Sequence, residues 1–578
     1  ITRRDFLNGA LLSTGALWAV HVSPAELLAQ KQARDARPRW GGNTSDVLTA
    51  GHAVRDGNFD SPKIPALETG EVYDLVIIGG GLSGLAAAHF FNKAKDGKGK
   101  VLILENHSTI GGNARRDEFI VNGKTLYAPQ ASIVHQDLPP AFAPPPEVEK
   151  LFREIKIDLD KFRIPQEAAG FSVFWDSKAE GARPHWYASV LEAPLPERVR
   201  QELMAFFGTV MHFYAKPDWN RQLEQLDRFS FKDYVQREQK WASGLFELME
   251  PDLAALFSFP DQVSAASVYA QYGGGPRPLY SFPGGNSGFL RYMLKHLIPE
   301  SISGGESTTA VIGGEIDRRA LDRKNSPVRI RLGATVVRVE HEGKPDQARL
   351  VRITYLAGGK TYQLRARGAI MAGGGYMTQH VVRDLPADKR EAYSKFIYAP
   401  LLQVNVALNN SRALDKAGLN FFSSYRDGFG VIMYLYEKMS AAGLDPERNP
   451  ERPNVVGLTV PLLYPGLSAR EQSVRGRAAL LRASFLDYER KTRAELARLL
   501  GPWGFNPRRD IAAIAISRWG HHGYTFPYPG IYTDGAVEAA KKNHGRIAFA
   551  HTDLDRFSHL GGALSQGHRA VRDLADRL

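Results

Sequence analysis

The sequence contains no cysteine. This excludes disulfide bonds and thiolate metal sites, and it also excludes cysteinyl attachment of a flavin and thioether attachment of haem. The absence leaves the cellular compartment undecided, so other features must decide it.

Blocks of like charge are missing as well. The 578 residues include 74 lysines and arginines against 62 aspartates and glutamates, for a formal net charge of +12, but the basic residues are dispersed. Without a basic arm or a recognisable nucleic-acid module, we expect no nucleic-acid partner and interpret the charge as a mildly basic solvated surface.

The apolar run near the N-terminus, Ala10 to Val22, is shorter than the roughly 20 residues that cross a bilayer. It follows Thr2-Arg3-Arg4-Asp5-Phe6-Leu7, which resembles a twin-arginine export signal with Asn8 where a lysine is common. We therefore predict a signal segment over 1–30, export of the folded chain by the twin-arginine machinery, and a periplasmic location. The alternative is an amphipathic surface start with two chance arginines.

The stretch from Val72 to Glu105 is where spacing implies chemistry. Tyr73 to Ile78 predicts a buried parallel strand, and it runs into a G-x-G-x-x-G pattern with glycines at 79, 81 and 84. Leu85 to Ala94 predicts a helix, and the apolar run Val101 to Leu104 predicts a second strand that ends at Glu105. This order is typical of a dinucleotide-binding βαβ unit, and the alternative is an ordinary glycine-rich loop.

Each position has a physical role in such a unit. Gly79 permits the tight turn, Gly81 lets the backbone approach a pyrophosphate, and Gly84 lets the helix pack on the strand. The helix N-terminus offers free N–H groups to the phosphates, and Glu105 is expected to accept hydrogen bonds from the ribose hydroxyls. Leu82, Ser83 and Asn106 are assigned to the same binding site.

A second glycine pair, Gly111-Gly112, follows the second strand and continues as Asn113-Ala114-Arg115. Such a pair beside the pyrophosphate is typical of FAD enzymes of the amine oxidase and glutathione reductase type, which favours FAD over NAD. Three later segments resemble landmarks of flavin amine oxidases. They are Phe282 to Leu290, a strand pair with Val337 whose backbone would contact the adenine, and a strand that ends at Gly373-Gly374.

The C-terminal region also resembles these enzymes. Gly545 to Asp553 predicts a strand whose acid, Asp553, would hold the ribityl chain, and Gly562 and Ala563 would begin a helix directed at the pyrimidine ring. His551-Thr552 separates Ala550 from Asp553, whereas the family strand usually ends Ala-Gly-Asp/Glu.

The combination is similar to the bacterial spermidine dehydrogenases from about His52 to the C-terminus, on the segments 51–57, 74–81, 104–107, 110–119 and 566–571. The resemblance implies FAD-dependent oxidation of a polyamine, with spermidine giving 1,3-diaminopropane and 4-aminobutanal by hydride transfer to flavin N5 and imine hydrolysis. It also implies haem b, with electrons passing to haem or to an external cytochrome or quinone. His52 is our candidate ligand of the haem iron, and a capping or surface histidine is the alternative.

We predict an α/β fold with a discontinuous, Rossmann-like FAD-binding domain, a mixed α+β substrate domain and a helical cap. The predicted units are the signal segment 1–30, an N-terminal arm with little regular structure over 31–71, FAD-binding parts over 72–135, 282–385 and 541–578, a helical cap lobe over 136–281, and a substrate domain over 386–540 with one helix over 471–500.

Amine oxidation needs a dry site that favours a developing cation, which aromatic faces provide. Trp519 and Tyr524 are predicted cage walls, and His521 is predicted as an acid, a base or a holder of water. Asp261 and Glu437, which stand among apolar residues, are predicted to hold the distal ammonium groups of the substrate. Packed aromatics, a satisfied histidine and buried or exposed acids are the alternatives.

Two other functions fit a flavin fold. One is a periplasmic FAD-dependent alcohol or sugar dehydrogenase, in which His521-His522 would be the catalytic pair. The other is a non-catalytic flavin electron carrier. The amine oxidase-like landmarks disfavour the first, and the large aromatic lobe, which a carrier does not need, disfavours the second.

Overall fold

The computed structural model describes residues 39–61, 64–165, 171–176, 184–436, 439–440, 443–444, 449–521 and 525–578. The predicted signal segment, Glu437 and Tyr524 lie outside these residues. Within them, no helix combines the length and the apolar character that crossing a membrane requires.

The strands, numbered in chain order, are β1 Arg39–Gly42, β2 Leu67–Ile78, β3 Val101–Leu104, β4 Arg116–Val121, β5 Lys124–Pro129, β6 His135–Gln136, β7 Phe171–Trp175, β8 His185–Tyr187, β9 Leu279–Tyr280, β10 Val328–Arg331, β11 Thr335–His341, β12 Val351–Ala357, β13 Lys360–Met371, β14 Leu401–Leu408, β15 Phe422–Gly428, β16 Gly430–Leu435, β17 Met439–Ser440, β18 Gly443–Leu444, β19 Asn454–Pro461, β20 Ile511–Trp519 and β21 Ile547–Phe549.

The α-helices span Ser45–Arg55, Leu82–Ala94, Pro146–Glu154, Glu197–Met211, Trp219–Leu226, Phe231–Asp233, Ser243–Phe257, Ala265–Tyr272, Ser287–Leu297, Thr308–Gly313, Arg318–Leu321, Gly375–Val381, Ala387–Lys395, Arg412–Lys416, Ala469–Arg482, Phe485–Leu500, Pro507–Asp510, Ala536–Lys541 and Leu560–Leu574.

One sheet has the order β10-β3-β2-β13-β12-β11, with β21 on β13. Strands β10, β3, β2, β13 and β21 pair in parallel, and β11 to β13 form the antiparallel part. Strand β3 reads Val-Leu-Ile-Leu and is buried along its whole length, because apolar clusters cover both faces of the sheet. This is the Rossmann-like sheet.

The second sheet is mixed and has the order β1-β20-β14-β19-β16-β15-β7-β8. Strands β14 and β19 are buried at every residue. One face packs on the helices Ala469–Arg482 and Phe485–Leu500, and the other packs on the β4–β5 hairpin and the helix Ser243–Phe257. The two sheets with their covering helices confirm the predicted fold class.

Three local predictions differ from the structure. The arm was predicted to have little regular structure, but its residues Arg39–Gly42 form strand β1, which pairs in parallel with β20. The cap contributes β7 and β8 to the second sheet. The segment predicted as one helix is two helices, because Ser484 starts a new one: its hydroxyl accepts a hydrogen bond from the Asp487 N–H and the Asp487 carboxylate accepts from the Ser484 N–H.

Candidate cofactor and substrate site

A cavity of about 860 Å³ lies at the carboxyl ends of the parallel strands. The segments that follow β2, β3, β13 and β21 all line it, and so do Ala334 and the first two residues of β11, Thr335 and Val336. In open α/β sheets, ligands bind in this position outside the strand ends. The sheet topology therefore places the candidate site.

The turn between β2 and the helix Leu82–Ala94 has no room for a side chain at Gly84. Gly79 has φ +115°, and a Cβ at Gly84 would lie 2.0 Å from the Gly79 carbonyl oxygen. The helix Leu82–Ala94 can therefore start directly against the strand only with glycine at 84. A Cβ at Gly81 would meet nothing nearer than Gly111 and Gly112, at 4.0 Å. Bare backbone from the two glycine motifs thus faces the cavity at the N-terminus of this helix.

Glu105 lies at the next strand end and is almost fully buried. Its Oε2 accepts a hydrogen bond from the Gly80 N–H at 2.7 Å, and its Oε1 accepts from the His107 N–H at 2.8 Å and lies 2.9 Å from His107 Nδ1. Burial alone would raise the pKa of Glu105, but the bonds from His107 and Gly80 lower it below its usual value. The carboxylate is ionised and can accept further hydrogen bonds from a ribose.

His107 is a site residue that our sequence analysis did not single out. Its ring lines the cavity, and the buried Nε2 atom has no hydrogen-bond partner among the described residues. A buried polar atom of this kind is costly unless a ligand or water satisfies it. The signal in the sequence was its place two residues after Glu105.

Most of the predicted cofactor residues line the cavity: Gly79, Gly81, Leu82, Ser83, Glu105, Asn106, Gly111, Gly112, Asn113, Ala114, Gly373, Gly374, Asp553 and Ala563. The predicted residues that are not in the lining are Gly84, Arg115, Val337 and Gly562. Gly84 acts through packing, as expected. The assignment of the other three to the cofactor stays a prediction, and their contacts in the structure are as follows.

Val337 points into the core, and Val336 lines the cavity instead. The reason is a register shift in β11 between Val336 and Arg338, which leaves Val337 without a cross-strand partner. Arg115 lies outside the lining because it binds backbone: its Nη2 donates to the Gly42 carbonyl at 2.7 Å and its Nε to the Gly112 carbonyl at 3.0 Å. Arg115 therefore ties the arm to the second glycine pair.

Gly562 serves helix packing. A Cβ at this position would lie 2.1 Å from Asp555 Oδ2, and the Gly562 N–H donates to His559 Nδ1 at 2.7 Å. His559 thus caps the helix Leu560–Leu574, and Leu560 and Ala563 face the cavity. The predicted helix N-terminus is present, but Leu560 and Ala563 line the cavity there and Gly562 does not.

Trp519 and His521 both line the cavity. Trp519 is buried, and its Nε1 donates to the Gln130 carbonyl at 2.8 Å. The His521 ring stacks on Tyr376 at 4.0 Å between centroids and lies 5.6 Å from Tyr398. Burial, helped by the charge of Arg477, lowers the pKa of His521 to about 3. The ring is therefore neutral at ordinary pH, which suits a holder of water better than a base.

Asp553 reaches the cavity despite the unusual spacing before it. Its Oδ2 accepts hydrogen bonds from the Gly375 N–H and the Tyr398 hydroxyl, both at 2.8 Å. The same oxygen lies 2.9 Å from Nδ1 of His551, whose Nε2 is 3.1 Å from the Tyr393 hydroxyl oxygen. The extra residues thus form a buried network that fixes the carboxylate.

Asp261 is outside the cavity lining. Its carboxylate accepts hydrogen bonds from Gln472 Nε2 and from the Gly466 N–H, both at 3.0 Å, so its burial has a structural cause. Asp252, which our sequence analysis did not single out, is a second acid outside the cavity lining. Its Oδ2 accepts from the Tyr272 hydroxyl at 3.0 Å, its Oδ1 has no partner among the described residues, and burial raises its pKa to about 6.

Two places in the structure bear on metal binding: His52, and the cluster of His341, Asp384 and His544. His52 is exposed at the cavity edge, near Arg55 and Asp56. His341, Asp384 and His544 approach one another closely enough to hold an ion. However, His341 Nδ1 lies 2.6 Å from Asp384 and its Nε2 accepts from the Arg546 N–H at 2.9 Å, so neither ring nitrogen is free for a metal.

Comparison with known proteins agrees with this architecture. A family model for an NAD(P)-binding Rossmann-like domain matches residues 77–155. The oxidoreductase PigB from Serratia sp. (strain ATCC 39006) is 38% identical over 104 residues, which are 18% of this chain and 13% of that protein. The chain therefore matches only a small part of that relative's length.

Solved structures match over most of the chain. Wild-type putrescine oxidase bound to putrescine has a TM-score of 0.57 and 17% identity, covering 89% of this chain and 100% of that one. Cyclohexylamine oxidase from Brevibacterium oxydans IH-35A has a TM-score of 0.56 and 16% identity, covering 87% and 99%. The chain has the α/β fold of these amine oxidases, with a Rossmann-like domain joined to a domain built on a mixed sheet.

Proposed function

We propose that the protein is an FAD-dependent amine dehydrogenase. The observation that carries the proposal is the dinucleotide cradle: bare glycine backbone at 81 and 112, a helix N-terminus, and the ionised Glu105 open into one cavity with Trp519 and His521. The unpartnered His107 Nε2 is an independent sign that a polar ligand completes this end.

These residues fit FAD. The pyrophosphate would lie against Gly81 and Gly112 at the N-terminus of the helix Leu82–Ala94, and Glu105 would accept hydrogen bonds from the ribose. Asp553 would hold the ribityl chain. When bound, FAD supplies the acceptor for a hydride from the carbon next to the amine nitrogen.

The remaining cavity residues favour a neutral amine, which the reaction needs. Arg55 and Arg470 are exposed lining residues and Arg477 lies deeper, and nearby cations disfavour a second positive charge. The aromatic faces of Trp519 and Tyr376 can stabilise the cation that develops during oxidation. His521, neutral and stacked on Tyr376, is placed to hold the water that cleaves the imine.

Polyamine specificity, with spermidine as the substrate, is the finer form of the proposal and rests on the sequence resemblance. Among the described acids, Asp252 has a buried oxygen free to accept a hydrogen bond, and it lies on the helix Ser243–Phe257 that packs on β16. Tyr434 and Tyr436 on this part of the second sheet have parallel rings 6.3 Å apart. These three residues lie outside the cavity lining, so the distal ammonium group is assigned no acidic partner among them.

Periplasmic location stays a prediction from the twin-arginine pattern, and a cytochrome or quinone stays the predicted acceptor. Ligation of haem by His52 also stays a prediction, and no step of the proposed reaction runs through haem.

The test is turnover of the FAD-loaded protein with a dye acceptor on a panel of spermidine, putrescine, cyclohexylamine, butylamine, glucose and ethanol, with reduction of the dye as the readout. Amines should react and the hydroxyl compounds should not. Turnover of glucose or ethanol alone would make the protein an alcohol or sugar dehydrogenase, and failure of every donor would favour an electron carrier.

A further inference from the structure

The helix Ala469–Arg482 has an unusual distribution of side chains. Its buried positions are small or polar for the most part: Ala469, Gln472, Ser473, Gly476 and Leu480. Its exposed side carries Val474, which is 57% exposed, and Leu481, which is 46% exposed. Helices at a protein surface normally turn their large apolar residues inward, so this arrangement needs a cause.

The rotation of this helix is fixed by specific contacts. Gln472 Nε2 donates to Asp261 at 3.0 Å, and the Ser473 hydroxyl donates to the Tyr398 carbonyl at 2.5 Å. A Cβ at Gly476 would lie 2.5 Å from the Pro400 ring, so only glycine permits this close approach. The apolar residues are therefore held on the outside.

The exposed residues Val474, Ala478 and Leu481 follow one another at spacings of four and three along the helix, and we call them the apolar stripe. All three line the cavity. The other exposed lining residues include His52 and Arg55. The stripe thus lies at the cavity mouth, and whatever covers the stripe also faces the mouth.

The stripe is flanked by positive charge. Arg470, Arg475 and Arg482 are all exposed on the same helix. The acid on this helix, Glu471, accepts hydrogen bonds from the Ser468 backbone and hydroxyl in a capping box. Exposed apolar residues bordered by arginines are typical of helices that lie in the interface of an anionic bilayer.

We propose that the apolar stripe and its arginines dock the protein on the surface of an anionic lipid bilayer, with the cavity mouth facing the membrane. The guanidinium groups would bind lipid phosphates, and Val474 and Leu481 would enter the interface. A symmetric contact with a second copy is disfavoured, because it would bring Arg470, Arg475 and Arg482 against their own counterparts. The proposal concerns binding alone and is independent of the proposed activity.

The experiment is sedimentation of the purified protein with vesicles of phosphatidylcholine alone or mixed with phosphatidylglycerol. We expect binding to the mixed vesicles only, and weaker binding at high salt because the arginines contribute. The double substitution Val474→Asp with Leu481→Asp should lower the vesicle affinity at least tenfold. Met204→Asp is the matched control, because Met204 is 54% exposed on a helix that does not line the cavity, and this variant should bind like the wild type.

Arg475→Glu with Arg482→Glu is a second variant for the case in which the apolar substitutions unfold the helix, and it should also lose binding to the mixed vesicles. Thermal unfolding and FAD content of each variant report its fold. Equal binding to both kinds of vesicle, no binding to either, or full binding by the folded stripe variant would overturn the proposal. A salt-insensitive dimer that the stripe variant abolishes would assign the stripe to a second copy and overturn it as well.

Discussion

At the scale of single residues, His521 shows how burial decides protonation. Its folded-state pKa of about 3 lies below the ordinary value of 6.5 because the ring is withdrawn from water and faces Arg477. The unfolded chain binds a proton as the pH falls below about 6.5, but the folded chain does not. The free energy of unfolding therefore falls progressively as the pH falls from 6.5 towards 3.

We predict that His521→Gln makes stability less sensitive to acid. Between about pH 6.5 and pH 5, the free energy of unfolding should fall by about 1–2 kcal/mol less in the variant than in the wild type. The reason is that the variant has no ring at this position that the unfolded chain protonates and the folded chain does not. Urea unfolding at several pH values measures this. His212→Gln, at an exposed position, is the control, and identical pH profiles for His521→Gln and wild type would contradict the expectation.

We predict that Glu105→Gln weakens FAD binding about tenfold or more. The amide nitrogen cannot accept the hydrogen bonds that the carboxylate accepts from a ribose and from the Gly80 and His107 N–H groups, and a charge-assisted bond contributes about 1.5–3 kcal/mol. Equilibrium dialysis with FAD is the measurement. Glu68→Gln, at an exposed position on β2, should keep wild-type affinity, and equal affinity of all three proteins would argue against the assigned ribose site.

The role of a single residue could be predicted where the size of its side chain alone decides that role. The glycines at 79, 81 and 84 are examples, since their missing side chains make the turn possible. The backbone contact of Val337 with the adenine stays a prediction, and the β-bulge that turns its side chain away from the cavity is not revealed by alternation along the sequence. Asp261 was unpredictable because its partners Gln472 and Gly466 are distant in the chain.

At the scale of secondary-structure elements, the site depends on close packing of the helix Leu82–Ala94 on β2. We predict that Gly84→Ala destabilises the protein by about 1–3 kcal/mol and reduces FAD retention, because the new Cβ would lie 2.0 Å from the Gly79 carbonyl and the helix must move. Thermal unfolding and FAD content after gel filtration are the measurements.

The matched control for this change is Gly208→Ala in the helix Glu197–Met211. A Cβ there meets no atom within 4 Å, so alanine should stabilise the protein by about 0.5–1 kcal/mol through helix propensity. Unchanged stability and FAD content in Gly84→Ala would show that the packing argument is incorrect.

The elements that local patterns predict are those with complete local signals. Strand β3 and the turn after β2 are examples, because an apolar run, a glycine motif and a helix follow in order. Strand β1 was missed because its four residues gain their hydrogen bonds from β20, far along the chain. The helix break at Ala483 was missed because the apolar pattern continues through it, and only the Ser484 capping box marks the boundary.

At the scale of the whole molecule, the site is built by segments from both ends of the chain. The fold class followed from the order of motifs, since each FAD-binding part carries its own landmark. The second sheet did not follow, because β1, β7 and β20 come from three predicted units and join only in three dimensions. The stacking of His521 on Tyr376 depends on that assembly.

We predict that FAD stabilises the whole fold. A ligand that binds only the folded state raises stability by about 2.7 kcal/mol at a free concentration of 100 times Kd, so the thermal midpoint should rise with FAD concentration. Calorimetry of the apoprotein with increasing FAD measures this. NAD at the same concentrations is the control, and a larger rise with NAD would contradict the choice of cofactor.

The central claim is that one cavity brings FAD and an amine together. The most direct measurement is the anaerobic visible spectrum of the FAD-loaded protein before and after addition of spermidine. The account predicts that the absorbance of oxidised flavin is present at the start and that it is lost once spermidine is added, because the flavin is reduced. Bound flavin that neither spermidine nor any other amine reduces would contradict the claim of amine oxidation, and failure to bind flavin at all would contradict the assignment of the cradle itself.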